Sequence, residues 1–100
     1  ITVNSYYKDI TQTIELALKS TNEDEKTEYC KEVAEKWDKF FKKITLLTDH
    51  SVVQSADVSV GTLEKLADKR DDSVDDALIE TKSELDQIFD TSKITFSNIF

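Results

Sequence analysis

The sequence contains neither proline nor methionine, and it has a single glycine (Gly61), a single cysteine (Cys30) and a single histidine (His50). Turns and strand ends recruit glycine and proline, so a chain this poor in both is predicted to be helical with tight connections. One cysteine excludes an intramolecular disulfide and fits either a reducing or an oxidising compartment. One histidine and one cysteine also fall short of the three or four ligands that a zinc site needs.

No apolar run approaches the roughly 18 to 20 residues that a membrane-spanning helix needs. The chain has 21 acidic and 13 basic residues, for a formal net charge of −8. This charge argues against a nucleic-acid partner, because phosphate binding needs clustered Lys and Arg. A length of 100 residues with no linker-like stretch predicts one domain over residues 1–100. The absence of methionine at Ile1 predicts an excised fragment or a processed product.

Two apolar stripes with helical spacing occupy the first half of the chain. The first predicts a helix over residues 3–20, and its members are Val3, Tyr7, Ile10, Ile14 and Ala17. The second predicts a helix over residues 23–47, and its members are Cys30, Val33, Trp37, Phe40, Ile44 and Leu47. Ser20, Thr21 and Asn22 are all good N-caps for the second helix, and Ser20–Glu23 or Thr21–Asp24 would form a capping box.

Two further stripes follow. The third predicts a helix over residues 50–69 with Asp49 as its N-cap, and its members are Val53, Ala56, Val60, Leu63 and Leu66 or Ala67. Gly61 lies inside this helix, where it either costs up to about 1 kcal/mol relative to alanine or allows a close helix approach. The fourth predicts a helix over residues 72–90, opened by aspartates that suit its dipole, and its members are Val74, Leu78, Leu85, Ile88 and Phe89.

The fold class that follows is all-α: an antiparallel four-helix bundle built from two helical hairpins. An offset of 48 residues aligns Cys30 with Leu78 and Trp37 with Leu85, which hints at two similar hairpins. The last segment, residues 91–100, is too apolar for an exposed tail. We expect it to fold back and pack on the bundle.

Asp49 and His50 are the most conspicuous candidates for chemistry. Asp49 could orient the imidazole of His50 for general-base work or metal binding. However, no nucleophile motif surrounds the pair, and adjacent helical residues point about 100° apart. The simpler interpretation is an aspartate N-cap followed by a first-turn histidine.

Three other features allow a functional and a structural interpretation. Trp37, Phe40 and Phe41 could line a pocket for a small apolar ligand, or they could be core residues. Cys30 could be a reactive thiol, but its place on the stripe favours a buried, inert one. The acids after Asp71 fail as a calcium-binding loop, because Asp76 replaces the required glycine and Lys82 the bidentate glutamate.

A tryptophan on a long helix, then "LLTDH", a helix with Asp57, an aspartate opening the next helix, and a closing "ITFSNIF" form a recognisable series. From Trp37 onward the chain resembles domain of unknown function 4363, a family of small, uncharacterised bacterial proteins. The family pattern has acids after the Asp-His pair, whereas this chain has Ser51, Val52 and Gln54. If those acids form a polar site with Asp49, His50 and Asp57, most of it is missing here.

The resemblance implies a single-pass membrane protein, anchored through an N-terminal segment that this chain lacks, with its helical domain outside the cytoplasm. It implies no activity and no cofactor. We therefore expect a non-enzymatic interaction module that binds a protein partner, with membrane proteins among the candidates, or that self-associates. The alternative is a bundle that senses or carries a small ligand near Trp37.

Overall fold

A computed structural model describes residues 3–44 and 50–99 of the chain, with side chains over residues 5–44 and 51–90. Four α-helices make up most of these residues: α1 (Val3–Lys19), α2 (Glu23–Ile44), α3 (His50–Asp68) and α4 (Val74–Ile99). Each helix packs against two neighbours, in the cyclic order α1, α2, α3, α4. The predicted four-helix bundle of two hairpins, α1–α2 and α3–α4, is confirmed.

The four apolar stripes meet in one core along the bundle axis. Its largest fully buried side chains are Phe40, Ile10, Ile14, Ile44, Leu63, Leu78, Leu85, Ile88, Val33 and Val53. Two threonines are buried with them, and their hydroxyls donate to the carbonyl one helical turn earlier, Thr13 to Asp9 at 2.9 Å and Thr81 to Ala77 at 2.8 Å. Within the described side chains, every buried polar atom has a hydrogen-bond partner.

Asn22 caps the start of α2. Its side-chain oxygen accepts a hydrogen bond from the backbone N–H of Glu25 at 3.0 Å, which satisfies one of the exposed donors of the first turn. The predicted capping boxes on Ser20 and Thr21 are therefore wrong. Asn22 takes the role because it immediately precedes the first helical residue, Glu23.

Helix α3 ends in a Schellman motif. The backbone N–H of Asp71 donates to Leu66 at 3.0 Å, and that of Arg70 donates to Ala67 at 3.1 Å. Arg70 adopts a φ of 53° to close this turn, a conformation that favours glycine. The chain has only one glycine, Gly61, so an arginine carries the strain here.

Helix α4 begins two residues later than predicted. The Asp71 carboxylate accepts hydrogen bonds from the Ser73 hydroxyl at 2.6 Å and from the Ser73 amide at 2.9 Å. These bonds lower the pKa of Asp71 and hold residues 72 and 73 in a turn. The Ser73 carbonyl then accepts the bond from Ala77 at 3.0 Å, so Ser73 is the N-cap.

Helix α4 also ends later than predicted, because it continues to Ile99. The expected fold-back after residue 90 is therefore wrong: the segment prolongs the helix. Continuing a helix adds one hydrogen bond per residue, and residues 91–99 contain no glycine or proline to stop it. The packing of the apolar side chains in residues 91–100 lies outside the described residues.

The strain at Arg70 leads to a stability prediction. Arg70→Gly should be more stable than Arg70→Ala by about 1 kcal/mol, because both variants lose the guanidinium but only alanine keeps a Cβ in the left-handed conformation. Urea unfolding of the two variants measures the difference, with one m-value (the dependence of the unfolding free energy on urea concentration) used for both. Equal unfolding midpoints would contradict the strained turn.

Candidate functional site

Trp37 links the two hairpins across the seam between α2 and α3. Its side chain is 2% exposed, and its indole N–H donates to the Asp57 carboxylate at 2.8 Å. A buried indole needs such an acceptor, since an unsatisfied buried donor costs about 1 to 3 kcal/mol. Asp57 is exposed apart from this bond. The structure thus brings together one residue from each predicted site.

The predicted aromatic pocket is filled by its own rings. The centroid of Trp37 lies 5.9 Å from that of Phe40 and 5.7 Å from that of Phe41, in edge and tilted contacts. Phe40 is 2% exposed and also contacts Tyr6, whose centroid is 6.0 Å away. Space for a ligand near Trp37 therefore lies beside this cluster, toward α3.

A groove follows the seam between α2 and α3 at this point. We name it the α2–α3 groove; it has a volume of about 410 Å³ and is lined by Ala34, Glu35, Trp37, Asp38, Asp57, Val60, Gly61 and Glu64. Its floor is apolar, and four of its eight lining residues are carboxylates. No lysine or arginine lines it. Outside the lining, the ammonium of Lys42 lies 3.4 Å from the Asp38 carboxylate.

Gly61 leaves this groove open. A Cβ placed on Gly61 would meet no atom within 4 Å. Of the two alternatives for Gly61, the one in which it allows a close helix approach is therefore wrong, since the missing side chain creates space at the surface instead. The groove is shallow over Trp37, whose ring belongs mostly to the core.

The other predicted polar residues do not join Asp57 in the described structure. Asp49 and the side chain of His50 lie outside the described residues. Helix α3 begins at His50, the position that an N-cap at Asp49 requires. The N-cap remains a prediction. His50 and Asp57 are two helical turns apart along α3, about 10 Å.

The seam between α1 and α4 repeats the arrangement of the α2–α3 seam. The hydroxyl of Tyr7 donates to Asp86, and the ring of Tyr7 stacks on Phe89 with centroids 4.5 Å apart. Burial, together with the nearby negative charge of Asp86, raises the pKa of Tyr7 to about 12. Lys82 Nζ lies 3.2 Å from the other Asp86 oxygen and offsets part of that charge.

The end of the bundle that carries the two hairpin turns has a smaller cleft, of about 210 Å³. Its cations are already paired: Lys26 Nζ lies 2.7 Å from Asp75, and Arg70 binds Asp24. Ion pairs of this exposed kind contribute little stability each. The cleft therefore offers no unpaired cation to an anionic ligand.

Cys30 lies in the core, as its position on the stripe predicts. Burial raises the pKa of its thiol to about 11. The nucleophilic form is the thiolate, so this thiol is poorly reactive near neutral pH. The interpretation of Cys30 as a buried thiol is confirmed.

Across the described ranges, no three His, Cys, Asp or Glu side chains are grouped in a way that could hold a metal ion. No helix in those ranges combines the length and the apolar character needed to cross a bilayer. Comparison of the chain with protein-family models, with curated proteins and with solved structures finds no match.

Sequence patterns indicated Trp37 and Asp57 but not the other groove residues. Asp57, Gly61 and Glu64 are spaced four and three residues apart, so they form a second stripe beside the apolar one on α3. Ala34 and Asp38, four residues apart, lie in the same way beside the apolar stripe of α2. The spacing of these residues beside the apolar stripes could have indicated that they line a groove. It does not reveal which helix forms the opposite side of that groove.

The raised pKa of Tyr7 predicts how its contribution to stability depends on pH. A tyrosine whose pKa is higher in the folded than in the unfolded state stabilises fully below about pH 10, and this stability is lost as the pH rises toward 12. The stability advantage of the wild type over Tyr7→Phe should therefore shrink between about pH 9 and about pH 11. Urea unfolding at both pH values tests this, and an unchanged difference would contradict it.

Proposed function

We propose that the chain is a non-enzymatic helical module that binds a basic protein partner, within a membrane-anchored bacterial protein whose helical domain lies outside the cytoplasm. The observation that supports protein binding is the distribution of charge along the bundle. The membrane anchor and the location rest on the resemblance to domain of unknown function 4363 alone.

The whole net charge lies in one half of the bundle. Residues 12–35 and 60–81, which form the half that carries both hairpin turns, contain 14 of the 21 acidic residues and 6 of the 13 basic ones, a net charge of −8. The remaining residues contain 7 of each and are neutral overall. We name the two parts the acidic half and the neutral half.

The length of the bundle keeps these halves electrostatically distinct. Its longest dimension is 41 Å, whereas exposed charges are screened over about 8 Å at physiological ionic strength. A partner at one end therefore experiences mainly the charge of that end. Excess carboxylates attract a basic surface, accelerate its approach and make its binding sensitive to salt.

The proposed anchor is consistent with this unequal distribution of charge between the two halves. Helix α1 begins at Val3 in the neutral half, so an anchor before Ile1 would direct the acidic half away from the bilayer. Anionic headgroups attract basic segments and repel acidic ones within a few screening lengths. The neutral half carries Lys39, Lys42 and Lys43 near the end of α2, which suits the membrane-facing side.

The small-ligand alternative receives less support. The ring of Trp37 contacts the rings of Phe40 and Phe41, and the adjacent α2–α3 groove is rimmed by carboxylates. An apolar ligand would leave those carboxylates partly desolvated without a partner, which is unfavourable.

Crosslinking in native membranes followed by affinity capture tests the proposal. We expect a reproducible partner with a basic surface, whose recovery falls as salt is raised. Failure to recover any reproducible partner would contradict the interaction function.

Two charge-matched variants distinguish an effect of the charge in the acidic half from an effect of the total net charge. Glu32→Lys with Glu80→Lys changes the acidic half, and Glu84→Lys with Asp90→Lys makes the same charge change in the neutral half. Partner recovery should fall strongly only with the first pair. Equal losses would show that net charge, rather than its position, governs binding.

A further inference from the structure

We propose that the α2–α3 groove binds a lysine-bearing helix of the protein partner. This inference rests on the proposed function and specifies its site and partner chemistry. It goes beyond the general acidic character of one half, because it assigns the contact to one groove with a defined floor, rim and spacing. The rim residues Glu35 and Glu64 belong to the acidic half, and Asp38 and Asp57 lie just inside the neutral half.

The groove has room that the protein itself does not fill. Gly61 contributes no side chain, and a Cβ there would meet nothing within 4 Å. Val60 and Ala34 provide apolar floor on either side of the seam. A space of about 410 Å³ along two packed helices suits side chains that project from a third helix laid over it.

The rim of the groove determines which side chains fit. Glu35 and Asp38 from α2 face Asp57 and Glu64 from α3, and no base lines the groove between them. Of the four, Asp57 holds the indole N–H of Trp37 through one oxygen, and Asp38 lies near Lys42. Glu35 and Glu64 are exposed, and they are the carboxylates best placed to receive a partner's cation.

A lysine side chain matches both parts of the groove. Its four-carbon stem can lie on the apolar floor while its ammonium reaches the carboxylate rim. A wholly apolar helix would leave the rim unpaired, and an anionic segment would be repelled. The four carboxylates are too dispersed to form a metal site within the described residues.

The spacing of the rim favours a helical partner. Glu35 and Asp38 are separated by three residues, about 4.5 Å along α2, and Asp57 and Glu64 by seven residues, about 10.5 Å along α3. Lysines at positions i, i+3 and i+7 of a third helix have the same separations. One such helix lying along the seam can therefore place an ammonium near each end of the rim.

Trp37 makes the occupancy of the groove measurable. It is the only tryptophan, and its N–H is bonded to a rim carboxylate. An ammonium near Asp57 alters the field at the indole, so Trp37 emission should shift on binding. We would titrate the full chain with an alanine-rich helical peptide of about 15 residues carrying lysines at i, i+3 and i+7. The same peptide with glutamine for lysine serves as control.

Two variants disrupt the groove by different means, and each has a matched control. Glu35→Gln with Glu64→Gln removes rim charge, and Glu15→Gln with Glu28→Gln removes the same charge from exposed positions of the acidic half that do not line the groove. Gly61→Leu fills the groove without altering charge and favours helix formation. Thr62→Leu adds the same side chain one residue later, at an exposed position that does not line the groove.

We expect the lysine peptide to shift Trp37 emission and the glutamine peptide not to do so. Each groove variant should weaken binding about tenfold, whereas its control should change it by less than about twofold. Retained folding of every variant is verified by its unfolding midpoint.

Three results would overturn the inference. Equal weakening by groove and control variants would show diffuse attraction to the acidic half. Spermidine binding as tightly as the peptide would identify a small polycation as the occupant. If the peptide does not bind but a basic partner is still recovered by crosslinking, the groove is not the binding site and the proposed function still stands. If no partner is recovered either, both the groove assignment and the proposed function are wrong.

Discussion

The two hairpins are held in register by hydrogen bonds from a ring group on one hairpin to an aspartate on the other. Trp37 donates to Asp57 across the α2–α3 seam, and Tyr7 donates to Asp86 across the α1–α4 seam. Both donors belong to the α1–α2 hairpin, and both acceptors belong to the α3–α4 hairpin. Apolar stripes repeat every helical turn, whereas an indole N–H or phenol O–H taken out of water requires its acceptor at one position.

This arrangement connects the core to the surface chemistry. Supplying the acceptors helps to make the α3–α4 hairpin acidic: residues 50–99 carry a net charge of −6, against −1 for residues 3–44. Asp57 is fixed at the rim of a groove by the same bond that satisfies Trp37. Gly61 keeps that groove open one turn away. The groove is therefore positioned by the contact that sets the register of the hairpins.

Local periodicity was sufficient to predict the four helices and most of the core, because burial on one helical face leaves a repeat that depends on neighbouring residues only. Contacts between distant residues leave no such repeat. Tyr7 and Asp86 are 79 positions apart, and nothing near either residue indicates the other. Competing local signals caused the remaining errors: three adjacent N-cap candidates preceded α2, and the apolar composition of residues 91–100 obscured their ability to prolong α4.

A double-mutant cycle on Trp37→Phe and Asp57→Ala tests most directly whether this bond couples the hairpins. Unfolding free energies of the wild type, the two single variants and the double variant give the coupling energy. A hydrogen bond to a carboxylate predicts a coupling of about 1.5 kcal/mol. Additive effects, within about 0.5 kcal/mol, would contradict the central role of the pair.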